Sequence, residues 1–330
     1  MKQPLITVIV PIFGVEKYIA HCAKSLMNQT LTDIEYIFVN DCTKDNSISI
    51  LNEVIKKYPD RNVTILNHES NKGLPTARNT GLANAKGKYV FHCDSDDYLE
   101  VDALECLYNK AQETNADIVW CDFFESYTKE EIYHSEPEFQ KHQDAIKAML
   151  SNKMKYNVWN KLIKRSLYSE NHILFPEGKS LGEDLTIIKL FAVARKTCYL
   201  PKACYHYVRC NTNAMTQTWT QDKVIALRAN VEDLDAFIQK HKGGTYNNEL
   251  AYLKLWLKLQ FLLTDGTNGL YSIWNTWFPE SNKLIQTLPN ANKRIKSLML
   301  MATKKQWWFV WLHYWLICRL FYSFKYRNHC

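Results

Sequence analysis

The chain has 330 residues, 46% hydrophobic and 23% charged, which suits a globular protein of one large or two small domains and excludes a low-complexity chain. Its formal charge of +7 is unevenly placed: no acidic residue follows Glu280 while nine Lys or Arg do, so the first 280 residues carry a net −2. A nucleic-acid surface spread over the whole protein is thereby excluded, and no nucleic-acid partner is expected.

The N-terminal stretch MKQPLITVIVPIF has one Lys, an apolar run interrupted by Pro11 and no small-residue cleavage site. It reads as a buried first strand and not as a signal peptide. Short apolar runs rich in Val, Ile and aromatics then predict strands over 7–13, 34–41, 63–68, 88–94 and 117–124. Between them helical spacing predicts helices over 17–28, 46–58, 74–85 and 100–114, with Asp45 placed to cap the second. Continuous apolar runs imply strands covered on both faces, and strand–helix alternation implies a doubly wound, mainly parallel α/β sheet. Such sheets bind ligands beyond the carboxyl ends of their strands, where Asp41 and Asp94 fall. From 140 to 200 the pattern turns helical, most clearly at 158–168 and 182–194, before a β-like stretch at 197–208. Long amphipathic helices are expected over 221–240 and 247–263, and the softest boundaries lie near 213–220 and 264–282. The ten cysteines are scattered, without a CxxC pair, and read as reduced thiols of a cytosolic protein.

The stretch KYVFHCDSDDYL puts Asp94, Asp96 and Asp97 within four residues at a strand end. Like charges so close repel, and each loses hydration beside a buried strand. Three readings compete: chelation of a divalent cation, a solvated turn, or capping of the next helix. Asp97 has a modest capping case, whereas Asp94 and Asp96 in an i, i+2 arrangement suit Mg²⁺ or Mn²⁺ shared with substrate phosphates.

Five blocks in order, TVIVPIFGVEKYI, IEYIFVNDCTKDNS, NKGLPTARNTGLANAKGKYVFHCDSDDYL, VWNKLIKRSLY and GEDLTIIKLF, resemble the family 2 glycosyltransferases over about residues 4–215. The resemblance implies the GT-A fold, a Rossmann-like doubly wound sheet, and inverting transfer of a sugar from a nucleotide diphosphate donor to an acceptor hydroxyl. By position Asp41 matches the aspartate that hydrogen-bonds the nucleobase, usually uracil. Asn40 stands where a second aspartate is common, Cys42 replaces the usual glycine, and Gly14 stands where Asn is frequent. Pro11, Phe13 and Ser95 fall on the donor side. Arg78 and Lys72 fall near the nucleotide, although Arg78 by itself reads as a surface helix residue. Asp94 and Asp96 match the DxD pair, Asp96 touching the metal and Asp94 the ribose or the metal's water shell. Asp184 matches the general base with Glu183 beside it, while acids in a helix's first turn also simply complement its dipole. His206 is a candidate metal or phosphate contact, or a packed core histidine. Trp159 and Lys161 match the W-x-K block bordering the acceptor, and Trp159 reads equally as core.

The expected division is a transferase domain over 1–215, with a nucleotide-binding half to about 125 and an acceptor half from 126, followed by a helical extension over 216–330. Sixteen residues, Trp307 to Tyr322, are apolar save His313, Arg319 and Cys318, which is short for a membrane span of about 20. Five Trp or Tyr in 307–315 with flanking cations suit an anionic membrane interface; a docked terminal helix or an oligomer interface are the other readings. The resulting expectation is a cytoplasmic enzyme, peripheral on the inner face of the cell membrane, acting on a glycan or lipid-linked acceptor. Two rivals stand beside it. A sugar nucleotidyltransferase would want a glycine-rich, lysine-bearing loop where PIFGVEKYI stands. A non-catalytic nucleotide-sugar or membrane-binding module would not need Glu183 and Asp184.

Overall fold

The computed structural model describes residues 3–178, 182–209 and 219–321. They fall into two compact units, Met1–His142 with Tyr156–Asn213, and Gln143–Lys155 with Ala214–Cys330.

In the first unit the order is β1 (Ile6–Ile12), α1 (Ile19–Met27), β2 (Ile34–Asn40), α2 (Ser47–Ile55), β3 (Asn62–Asn67), α3 (Leu74–Asn84), β4 (Tyr89–His92), β5 (Tyr98–Leu99), α4 (Ala103–Thr114), β6 (Ile118–Ser126) and β7 (Glu131–His134). The helix α5 (His142–Leu150) opens the short segment grouped with the second unit, and β8 (Lys161–Lys164), α6 (Ser166–Glu170), α7 (Thr186–Val193) and β9 (Thr197–Val208) complete the first. One sheet runs β3-β2-β1-β4-β8-β6-β9-β5, with β7 on β6. It is parallel through β3-β2-β1-β4 and again between β6 and β9; the antiparallel pairings are those of β8, β5 and β7. All seven residues of β1 are buried, as a strand covered on both faces requires. The helix α1 buries Ile19, Cys22, Ala23, Leu26 and Met27, the i, i+3, i+4 set of one face.

The expected elements before 125 are present with ends shifted by a few residues, and three departures have physical reasons. The cap of α2 is Asn46, yet the Asp45 carboxylate still accepts the Ser47 N–H at 3.1 Å and the Glu16 N–H at 2.9 Å. Asp97 caps no helix, because α4 starts only at Ala103. The stretch 158–168, expected to be helical, contains β8, antiparallel to β4 and to β6. Hydrogen bonds to two neighbouring strands outweigh the weak local helical preference there.

Gly87 shows how tightly the sheet is assembled, since a Cβ at this position would stand 2.4 Å from the Thr7 backbone nitrogen. Gly87→Ala should therefore cost about 1–3 kcal/mol through overpacking, read as a lower denaturation midpoint in urea. A midpoint equal to wild type would refute that close approach.

The second unit is helical: α8 (Gln221–Lys242), α9 (Asn247–Leu262), α10 (Leu270–Thr276), α11 (Lys293–Thr303) and α12 (Trp307–His313), continued by wider π-type turns over Tyr314–Phe321. Thr220 and Asn292 cap α8 and α11 through side-chain oxygens that accept from Lys223 and Ile295. Lys258 is buried within this unit, donating to the Trp277 carbonyl at 2.9 Å and to Asn282 Oδ1 at 2.6 Å, with its cation 4.3 Å from the Trp274 ring centre.

Candidate active site

The site lies in the first unit, at the carboxyl ends of β1, β2 and β4. Arg78, on α3, is its centre. At 2% exposure it is no surface helix residue: Nη2 donates to Asp94 Oδ1 at 2.9 Å, and Nη1 stands 3.8 Å from both Glu183 Oε1 and Asp184 Oδ1. Its guanidinium lies over the Phe175 ring, 5.5 Å from the centroid, and neither Nε nor Nη1 has a hydrogen-bond acceptor. The fold thus brings Asp94 and the pair Glu183–Asp184 onto one buried cation from positions about 90 residues apart.

Neighbouring residues hold that arrangement. Asn79, next on α3, donates to the Phe175 carbonyl and accepts the Phe175 N–H, both at 2.9 Å, so the same helix holds the backbone of the residue whose ring lies under the guanidinium. Gly182 adopts φ +85°, the left-handed region that lets the chain turn into the 3₁₀ turn Glu183–Leu185 and on to α7. Burial and the adjacent Asp184 push the Glu183 carboxyl up to about 8, against the pull of Arg78. Burial likewise raises Asp184 to about 6, opposed by Arg78 and Lys161 and reinforced by Asp94. Two acids whose protons are held this tightly are uncommon outside functional sites.

The aspartate trio divides. Asp94 and Asp96 are half-buried. Asp97 is buried; it accepts from the Tyr205 hydroxyl at 2.7 Å and from the Val208 N–H at 2.8 Å, tying the turn to β9. Burial and its two fellow aspartates drive its carboxyl well above the usual range. Ser95 is buried between them.

Asp41 is buried at the end of β2 and closely held. Its Oδ1 faces His68 Nδ1 at 2.7 Å and accepts the Lys72 N–H at 2.8 Å, while Oδ2 accepts the Gly73 N–H at 2.8 Å. His68 Nε2 is in turn 2.9 Å from Thr80 Oγ1. The sequence reading missed His68, although the parallel register Asn40↔Asn67 places it beside Asp41. Cys42 takes φ +58°, the left-handed conformation that the usual glycine would adopt more easily. Pro11 is buried in β1, whereas Phe13 (55% exposed) and the Lys72 side chain open to solvent.

Three expected site residues stand elsewhere. His206 is buried on β9, with Nδ1 2.8 Å from Glu131 and Nε2 2.9 Å from Glu100, its ring stacked 4.2 Å from Tyr98 and 4.8 Å from Phe124. Both nitrogens are engaged by carboxylates, an arrangement that suits the packed-histidine reading. Trp159 is core: it stacks on Tyr205 at 4.5 Å and meets Phe123 edge-on at 4.9 Å. Lys161 is fully buried, donating to the Asn157 carbonyl at 2.8 Å and to Asn160 Oδ1 at 2.7 Å, and burial lowers its ammonium to about 8. Both are buried, and Lys161 acts on the site through its charge near Asp184.

The family model described as glycosyl transferase family 2 matches residues 7–181, more than half of the chain. The chain belongs to this family. It is 33% identical over 223 residues to the uncharacterized glycosyltransferase EpsJ of Bacillus subtilis, covering 65% of this chain and 63% of that protein. It is 34% identical over 318 residues to the glycosyltransferase GlyA of Streptococcus pneumoniae, covering 90% of this chain and 43% of that protein. The chain thus spans less than two thirds of the length of these relatives. The crystal structure of S. aureus TarS in complex with UDP-GlcNAc superposes with a TM-score of 0.69 at 22% identity, covering 94% of this chain and 91% of that one. That likeness shows the GT-A fold.

Proposed function

We propose that the enzyme is an inverting glycosyltransferase that moves a sugar from a nucleotide diphosphate donor, preferentially a UDP-sugar, to a hydroxyl of a glycan or lipid-linked acceptor. The observation that carries this reading is the convergence of Asp94, Glu183 and Asp184 on buried Arg78. Inversion by single displacement needs a base opposite the leaving group. Asp184 is that base, taking the acceptor hydroxyl's proton; its side chain is 39% exposed against 12% for Glu183. Asp41, oriented by His68 and by the N–H groups of Lys72 and Gly73, receives the nucleobase. A fold neighbour that binds UDP-GlcNAc supports the choice of uracil.

Among the described residues no group of three or more His, Cys, Asp or Glu is arranged to hold a metal. Two half-buried carboxylates, Asp94 and Asp96, nonetheless fit Mg²⁺ or Mn²⁺, because these hard cations accept two protein oxygens and take the rest from phosphates and water. Asp94 already faces a cation, the Arg78 guanidinium, which argues that the position favours positive charge. The bound ion would offset the charge that develops on the departing diphosphate. Arg78 adds to this, since its unpartnered N–H groups suit phosphate oxygens. We place the reaction in the cytoplasm, where buried reduced thiols such as Cys22, Cys93 and Cys121 persist, with the chain peripheral to the inner face of the membrane.

The test is a panel of nucleotide sugars with Mn²⁺, followed for transfer and slow donor hydrolysis, with the product anomer read by NMR. An inverted product from a UDP-sugar is expected; retention, or no turnover of any donor, would overturn the reading. The pH profile follows from Asp184. A base must be ionised to act, so kcat/KM should rise with pH through about 6, the value that burial imposes against Arg78. Activity that falls between pH 5 and 7 would contradict Asp184 as base.

A further inference from the structure

We propose that the outward face of α12 and of the π-type turns after it is a docking surface for an anionic lipid bilayer, on which the segment lies parallel to the membrane plane. The proposal gives the peripheral placement above its contact residues, and it does not depend on the donor chemistry.

The face is visible in the exposures. Trp308, Trp311, Leu312 and Leu316 are 67%, 48%, 41% and 51% exposed, and at spacings of three, four and eight they share one side. Val310 and His313, on the other side, are buried, and Trp307 stacks on Tyr271 with centroids 5.7 Å apart. Docking within the second unit therefore accounts for one side of the segment and leaves the aromatic side uncovered. Isolated exposed apolar residues are ordinary, but a contiguous row of them marks a contact surface.

The chemistry at its rim selects the occupant. Lys304 and Lys305 are exposed just before α12, and the exposed Arg319 lies beyond, its guanidinium 4.4 Å from the Trp315 ring centre. No acidic residue occurs anywhere in 281–330. Asp265 also comes near Arg319, and its bonds to Thr267, with a smaller pull from Arg319, hold its carboxyl below the usual range. A second copy on this face would set like cations against each other. Anionic headgroups neutralise them, while Trp rings settle at the level between headgroup and acyl chain. Among the described residues no helix is long and apolar enough to cross a membrane, so the segment lies on the bilayer and does not span it.

Flotation of the full chain with vesicles tests this. Wild type should float with phosphatidylcholine vesicles containing phosphatidylglycerol, far less with phosphatidylcholine alone, and progressively less as salt rises. The double variant Trp308→Ser, Leu312→Ser should lose at least about tenfold in affinity, and Lys304→Gln and Lys305→Gln about fivefold each. Circular dichroism and donor turnover in solution should be unchanged, which separates lost docking from misfolding and from a failure of the transferase reading. Equal flotation with both vesicle types, or a double variant that floats like wild type, would overturn the proposal. So would a double variant that converts a dimer to a monomer in sedimentation while still floating, since a second copy would then cover the face.

Discussion

Asp184→Asn is expected to lower sugar transfer about 10³-fold, the range typical of a lost general base, while UDP affinity stays within about twofold of wild type. The amide keeps the shape of the side chain and its place 3.8 Å from Arg78 Nη1, but it has no basic lone pair for the acceptor proton. The same substitution should not destabilise the protein. Burial raises Asp184 to about 6, so ionising it at neutral pH works against folding, and an amide removes that cost. An unchanged or higher melting temperature alongside lost transfer would therefore distinguish a catalytic group from a structural one. Transfer retained within tenfold would remove Asp184 from the mechanism and turn attention to Glu183.

Arg78→Gln should be the most damaging single change in the site for stability. Guanidinium removal leaves Asp94, Glu183 and Asp184 without the cation they face; the loss should be about 2–4 kcal/mol, less than in a closed interior because Asp94 and Asp184 keep some water. The pH dependence gives the diagnosis. Glu183 and Asp184 carry folded pKa values raised to about 8 and about 6, so their favourable contribution is present below their unfolded values and is lost as pH rises through the folded ones. Without Arg78 both rise further, and the variant's deficit should grow from pH 5 to pH 8 in urea denaturation. Arg78→Lys should recover little, because one compact ammonium cannot meet three carboxylates divided between the two terminal guanidinium nitrogens. A deficit independent of pH would mean that Arg78 acts through packing on Phe175 rather than through charge.

Much of the first unit was legible from local pattern. The runs at β1, β2, β4 and β6 are apolar because both faces are covered, whereas β3, at the sheet edge, alternates exposed and half-buried residues; strand ends followed by helices put Asp41 and Asp94 where ligands of such sheets bind. The pair Asp94–Asp96 was legible as carboxylates with no structural need to cluster, whereas Glu183–Asp184 stood out only through the family resemblance, since acids in a helix's first turn also complement its dipole. β5 and β8 were not legible, because each is stabilised by pairing with a distant strand and β8 even carries a helical apolar spacing; the short β7, a hairpin partner of β6, is largely exposed and so has no apolar run to mark it. Arg78 illustrates the same limit: LPTARNTGLAN looks like a solvated helix, and only the packing of α3 onto the sheet buries it. Asp97 was misjudged as a helix cap, and His206 was left between two readings, for a related reason. The partners that define them, Tyr205 and Val208 for one and Glu100 and Glu131 for the other, lie about 75 to 111 residues away.

By itself the sequence determined the class: the period of its apolar residues dictates a doubly wound sheet, and five ordered blocks identify the glycosyltransferase family. It also singled out the carboxylates proposed for chemistry, and it confined the excess positive charge to the C-terminal 50 residues. Only the tertiary structure decided how these groups meet. Packing carries Asp94, Glu183 and Asp184 onto one buried guanidinium, commits His206 to two glutamates, and sorts the aromatic tail into a buried and an exposed side. Periodicity is a local property that the chain states directly, whereas burial and charge pairing depend on which distant segments the fold brings within a few ångströms.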